Sequence, residues 1–297
     1  VAQIGGHRKP AGAREPIKAA VRMEAKEKRA TMQGEGGRGE TGRDEGVEPG
    51  VPLHLPYEEA LARERAMLAA ADGGPGLAWM LWQTGPCIVV PRSHVSRPAF
   101  AAAAASSAAR GWPVHTRDTG GGAVVQGHGV VNLSMTFSID AALRDRIGTS
   151  YRILCEPVMA MLRSRGLRGA WRAIPGTMCD GIYNIVVGDR KLAGTAQRWR
   201  NLGRARPGEH AVLAHLAMFA NLDHAEAAEA INALYADMGT EAGIEASSHI
   251  NWAEIDMSGE GQGGAGRATA LARELDGACR ALRLEELLEQ GVRSPAA

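Results

Sequence analysis

Between Cys179 and Arg200 the chain reads CDGIYNIVVGDRKLAGTAQRWR, and this stretch restricts the fold more than any other. Ile182, Tyr183, Ile185, Val186 and Val187 are β-branched or aromatic residues suited to a pleated surface. Gly188-Asp189 then tolerates the positive φ of a tight turn, so the letters predict a β-hairpin with one strand over 182–187 and a second beginning at Lys191. The second strand is unusual. Leu192-Ala193-Gly194-Thr195-Ala196 carries small side chains where a core strand carries bulky ones, and glycine in a strand marks close approach by another backbone or a ligand. A cation beside a floor of small residues suits an anionic or carbonyl-bearing ligand. A hairpin with a solvated lysine and one close-packed glycine accounts for the same letters.

A second stretch, Arg117 to Val125 (RDTGGGAVV), holds three successive glycines, Gly120, Gly121 and Gly122, followed by Ala123. Without side chains, their backbone N–H groups can turn toward one anion or carbonyl, and Arg117 can add a fixed charge. A plain loop is the alternative. The run Val130 to Ile139 (VVNLSMTFSI) alternates apolar residues with Asn132, Ser134 and Thr136, which predicts a strand with one buried face and one face lining something polar.

The remaining elements read as ordinary α/β. Helices are predicted from Pro56 until Gly73-Gly74-Pro75, over 98–110, 151–165 and 225–238, with strands over 77–83, 87–91, 112–117 and 211–220. His210 and His215 bracket the last of these strands, and either suits a structural or a site role. Residues 1–50, rich in Gly, Arg, Lys and Glu without a helical or strand period, are expected to be disordered or to include a mistaken gene start, with Met23 and Met32 as alternatives. A catalytic domain is expected over 51–245, and a linker with a C-terminal helix, about 268–288, over 246–297.

Composition excludes several classes of function. A formal net charge of +1 gives no long-range attraction to nucleic acid or to a membrane surface. The longest apolar runs fall well short of the roughly 20 residues that cross a bilayer, and no signal-peptide core is present, so a cytoplasmic monomer is expected. Cys87, Cys155, Cys179 and Cys279 include no CxxC pair, which predicts free thiols and no metal site.

The two informative stretches together resemble the biotin/lipoate protein ligase superfamily, in its lipoate-protein ligase and octanoyltransferase branch. RDTGGGAVVQGHGVVNLS (Arg117 to Ser134) is similar to the family's arginine, glycine triplet and Gly-x-x-Asn-x-Ser pattern, and NIVVGDRKLAGTAQR (Asn184 to Arg198) to its strand, turn, lysine and Gly-x-Ala-Gln-Arg segment. His210 and its strand resemble the histidine-led strand that follows, and the match covers roughly residues 52 to 240. The resemblance implies a single mixed-sheet α/β domain with flanking helices and a short C-terminal helical tail. It implies a groove lined by Arg117, Gly120, Gly121, Gly122, Ala123, Asn184, Gly194, Thr195, Ala196 and His210, in which Lys191 faces a reacting acyl carbonyl or acyl phosphate.

One departure is Gln126 where the family carries histidine, with His128 two positions later. Cys179 is similar to the nucleophile that cysteine-dependent octanoyltransferases place upstream of the lysine strand, with a tyrosine between, as Tyr183 is here. A straight strand back from Tyr183 would carry Cys179 away from Lys191, so for Cys179 to act residues 178–181 must fold back as a loop, where a thiol near a lysine favours the nucleophilic thiolate; a buried loop cysteine is the alternative. The resemblance thus implies octanoyl or lipoyl transfer from acyl carrier protein through Cys179 to lipoyl domains, those of 2-oxoacid dehydrogenase E2 or the glycine cleavage H protein, without cofactor or metal. An ATP-dependent ligase using ATP and Mg, which commonly carries an accessory domain larger than this tail, is the alternative. A binding protein that kept the groove and lost the chemistry is the third.

Overall fold

A computed structural model describes residues 50–71, 76–204, 206–256 and 263–293, all within one compact unit. All but Gly50 of the expected disordered segment, and residues 257–262 around the expected linker, lie outside the described residues, while 264–266 open a helix instead. The chain enters through a short strand, β1 (Leu53–His54), and a helix, α1 (Tyr57–Ala70). Strands β2 (Ala78–Gln83) and β3 (Cys87–Pro91), helices α2 (Arg92–Val95) and α3 (Phe100–Ala109), and strands β4 (Val114–Arg117), β5 (Val124–Gln126) and β6 (Val130–Asp140) follow. After the long helix α4 (Arg146–Ser164) come β7 (Gly169–Trp171), β8 (Ile185–Val187), β9 (Arg190–Asn201) and β10 (Glu209–Phe219). Helices α5 (His224–Asp237), α6 (Trp252–Ile255), α7 (Gly264–Ala281) and α8 (Leu284–Arg293) complete the described chain.

Seven strands form one sheet in the order β1-β2-β6-β10-β9-β8-β7, with β1 parallel to β2 and the other pairs antiparallel. The remaining three form a second mixed sheet, β4-β3-β5. This is the mixed-sheet α/β fold with flanking helices that the sequence predicts. Alternation along β6 places Val131, Leu133, Met135, Phe137 and Ile139 in the main core beside Ile153, Leu154, Val158 and Leu162 of α4. Ala268, Leu271, Ala272, Leu275 and Cys279 of α7 fill the same core, so the C-terminal segment covers apolar surface that the sheet alone would expose.

Three boundaries differ from the sequence reading by three residues or more. Helix α4 begins at Arg146 rather than Tyr151 because Asp145 caps it, accepting from the Gly148 N–H at 3.0 Å, and it runs on past Pro157. Strand β8 covers only 185–187, since Tyr183 turns away to stack on Tyr151 with ring centroids 4.0 Å apart. The expected helix over 268–288 is two helices, α7 and α8, broken at Leu282, whose backbone is extended. The hairpin itself forms as predicted, with Gly188 at φ 59° and Val187 opposite Arg190.

Candidate active site

The glycine triplet follows β4, and the Arg117 side chain holds it. Its guanidinium donates to the carbonyls of Val89 at 3.0 Å, Gly120 at 3.0 Å and Gly122 at 2.6 Å, so the arginine shapes the loop from beneath. Gly121 adopts φ 106°, a left-handed conformation that favours glycine, and a Cβ there would stand 2.4 Å from the Cys179 sulfur. Ala123 is buried, and its N–H donates to the Tyr235 hydroxyl at 3.2 Å.

The thiol reaches the glycines because residues 178–181 fold back as a loop. Cys179 has φ 53°, the one positive value at a non-glycine residue among the described residues. Four groups hold this turn. The Met178 N–H donates to His249 Nε2 at 3.0 Å, while the Cys179 carbonyl accepts from Asn184 Nδ2 at 3.0 Å, from the Gly181 N–H at 2.9 Å and from Lys191 Nζ at 2.9 Å. Lys191 also donates to the Met178 carbonyl. Because His249 Nδ1 donates to the Glu245 carbonyl at 3.0 Å, its Nε2 is left as an acceptor, and burial pushes the ring down to about 4, so it stays neutral near neutral pH.

Lys191 is fully buried. Burial pushes its ammonium down to about 8; Cys179 and Asp180 oppose that shift and Arg117 adds to it. A Cβ on Gly194 would lie 3.1 Å from Nζ, so the small-residue strand makes room for the lysine's own ammonium. Thr195 Oγ1 donates to the Tyr183 carbonyl at 2.9 Å, tying β9 to the residues after the Cys179 turn.

Arg117, Gly120, Cys179, Gly194, Thr195 and Ala196 line one side of a cleft of about 580 Å³, counting its open mouth. The cleft also meets Tyr57, Glu64, Trp82 and His215, with Val89, Val124, Leu216 and Ala217 as apolar wall. Gln126, which replaces the expected histidine, forms a reciprocal amide pair with Asn132 at 3.0 and 2.8 Å, and His128 is exposed. Lys191 is absent from the cleft wall, behind the Cys179 turn, rather than open to a ligand as the sequence reading expected.

His210 is not brought to the cleft. It sits opposite Ile139 and Asn201, five residues and so about 17 Å along β10 from His215, the histidine that does line the cleft. Glu64 was not singled out from the sequence, yet it is buried on the cleft wall. Its signal was its place between Ala60 and Leu68, at helical spacing on the apolar face of α1. His249 carried no local signal. Among the described residues no three His, Cys, Asp or Glu side chains converge to hold a metal, and no helix is long and apolar enough to cross a membrane.

Residues 56–249 match the family described as the lipoyl protein ligase A/B catalytic domain. An octanoyl-GcvH:protein N-octanoyltransferase of Kyrpidia tusciae is 38% identical over 184 residues, 60% of this chain and 62% of that protein's length. An uncharacterized protein of Cupriavidus necator is 34% identical over 218 residues, 71% of this chain and 83% of its own. The crystal structure of lipoate-protein ligase A bound with ATP shares the fold, with a TM-score of 0.56 at 18% identity over 82% of this chain and 93% of that one.

Proposed function

We propose, from the premise that this chain belongs to the lipoyl protein ligase A/B catalytic-domain family and is an enzyme of it, that it transfers octanoyl or lipoyl groups to lysines of lipoyl domains through an acyl-enzyme on Cys179. The observation that carries this reading is the seat of the Cys179 sulfur. It lies against Gly121, 3.9 Å from Arg117 Nη2, with its own carbonyl held by Lys191. A phosphate bound in the glycine cradle would have to displace that thiol, which favours transfer over adenylation.

In the first step the Cys179 thiolate attacks the thioester carbonyl of an acyl group carried by acyl carrier protein. The carrier's C–S bond breaks, and its thiol leaves with the proton that Cys179 gave up. In the second step the ε-amine of the acceptor lysine attacks the Cys179 thioester; an amide forms, the bond to Sγ breaks, and a proton from the amine returns to the sulfur. The oxygen charge that develops in both steps is met by N–H groups of the glycine loop, while Lys191, behind the turn, holds the Met178 and Cys179 carbonyls and acts through the turn that it fixes. The lipoyl domains of 2-oxoacid dehydrogenases and the glycine cleavage H protein are the expected acceptors.

Intact mass after incubation with octanoyl carrier protein is the test. The wild type is expected to gain one acyl group, lost on hydroxylamine treatment and absent from Cys179→Ala; an adduct that survives this substitution overturns the mechanism. Lipoate-dependent ATP/pyrophosphate exchange that persists in Cys179→Ala would instead establish a ligase, which would require ATP and Mg.

A further inference from the structure

Glu64, only 5% exposed, accepts at Oε1 from Ser134 Oγ at 2.6 Å and from His215 Nδ1 at 3.1 Å, and Trp82 Nε1 donates to Ser134 Oγ at 3.0 Å. Burial pushes the Glu64 carboxyl up, but the His215 charge and the hydrogen bonds from His215 and Ser134 outweigh it and hold it below the usual carboxylate range. An ionised Glu64 fixes the proton of His215 on Nδ1. Nε2 is then the edge left for the cleft, since the imidazole is 23% exposed and lines the cavity. Gln126 and Asn132, the amides on the wall, bond to each other. His215 thus offers a ligand an open hydrogen-bonding position at Nε2.

Its distance from the reacting end is set by the sheet. His215 pairs with Ala196, whereas Gly194, against which the Lys191 ammonium lies, pairs with Ala217. Two residues of strand separate the levels by about 7 Å. With C–C bonds of about 1.5 Å, an extended eight-carbon acyl group reaches about 9 Å from its carbonyl, so an acyl chain on Cys179 directed along the cleft brings its last carbons to Glu64, His215 and Trp82. A methyl terminus there would strip water from Nε2 and cover an ionised carboxylate, returning no hydrogen bond.

We infer that the Glu64–His215 pair is a specificity element that makes this cleft prefer medium-chain acyl groups bearing a neutral hydrogen-bond donor, a hydroxyl, near the far end. The inference deepens the acyl-transfer reading and rests on it for the role of Cys179.

The test compares 8-hydroxyoctanoyl with octanoyl carrier-protein thioesters, read as the rate of Cys179 acylation by intact mass. The hydroxylated donor is expected to react at least about tenfold faster by kcat/KM. In His215→Leu, and in Glu64→Leu/His215→Leu, which leaves no unpaired buried charge, the preference should vanish or reverse. Equal rates in the wild type, or a ratio that neither variant changes, overturns the inference. Calorimetric titration of 8-hydroxyoctanoate and octanoate into wild-type and double-variant protein keeps the two proposals separable. If no donor acylates Cys179, acyl transfer fails, while tighter binding of the hydroxy acid that disappears in the double variant still upholds the specificity element. Equal binding of both acids overturns it.

Discussion

Along one face of β6, Val131, Leu133, Met135, Phe137 and Ile139 are at most 1% exposed and interlock with residues of α4, α7 and β10. Along the other, Asn132, Ser134 and Ser138 are nearly as buried, but each answers to particular atoms: the Gln126 amide, the Glu64 carboxylate with the Trp82 N–H, and Arg206 Nη1 at 2.8 Å. The first face is governed by volume, and many apolar side chains of similar size would satisfy it. The second is governed by partners, and removing one strands another in a place water reaches poorly. Burial by volume is therefore concentrated on one face and burial by specific pairing on the other.

The strongest way to sharpen that contrast is Phe137→Ala. Phe137 is fully buried, and truncation should cost about 3–5 kcal/mol of unfolding free energy through lost burial and the cavity left behind. Denaturant unfolding measures that loss, while the rate of Cys179 acylation per folded molecule should stay within about twofold of wild type, because nothing in the cleft has changed. A large fall in that rate with little loss of stability would break the division between the faces.

Lys191 is the case that neither face describes, as buried as Phe137 and yet ionisable. Lys191→Met keeps the length and loses the charge. It should lower the acylation rate by about a hundredfold, since the turn that seats the Cys179 sulfur loses the donor to two of its carbonyls. Burst-phase intact mass on protein shown to be folded is the measurement, and a loss under about threefold would remove Lys191 from the chemistry.

Asn132→Ala tests the partnered face with a smaller effect. The Gln126 amide loses both of its hydrogen bonds to Asn132, for an expected cost of about 1–3 kcal/mol. Asn132→Ala combined with Gln126→Leu should recover part of that cost, since no stranded amide remains. If the double variant is less stable than the sum of the two single changes, the pair contributes more than mutual satisfaction.

Both kinds of burial leave different marks in a sequence. Alternation over 130–139 announced the apolar face of β6, and Gly188-Asp189 announced the hairpin, because these depend on local period and turn chemistry. The glycine loop and Lys191 stand out in the letters and Cys179 through the family resemblance, and the fold-back of 178–181 follows from strand length once that resemblance sets Cys179 near Lys191. Partnership was not legible. Nothing local to Glu64 says that it faces His215, 151 residues away. His210 and His215 are an odd number of residues apart on one strand, so they point to opposite faces, and only the packing of α1 against β10 shows that His215 faces the cleft. The start of α4 escaped for a related reason: its cap, Asp145, precedes the first buried apolar residue, Ile153, by two turns.

The most discriminating prediction is the smallest, and it turns on sign. Burial pushes Lys191 from an ordinary 10.5 down to about 8 in the folded protein. If the charged ammonium holds the Cys179 turn, the acylation rate of the wild type relative to that of Lys191→Met should fall as pH rises through about 8, by about tenfold per further unit, or about 1.4 kcal/mol. Acylation from carrier thioester is the step to follow, because it involves no acceptor amine, and the ratio to Lys191→Met cancels the loss of the Cys179 thiol proton, which raises the rate in both proteins. Stability moves the other way. Between about 8 and 10.5 the unfolded chain keeps a lysine proton that the folded chain has released, so this group's contribution to stability increases with pH across the window and is lost as pH falls through about 8. Lys191→Met is the reference for the first trend and should abolish the second, leaving a stability that no longer climbs above about 8. A ratio of wild-type to Lys191→Met acylation rates that stays level from about pH 7 to 10 would show that the buried charge serves packing alone, and would return Lys191 to the company of Phe137.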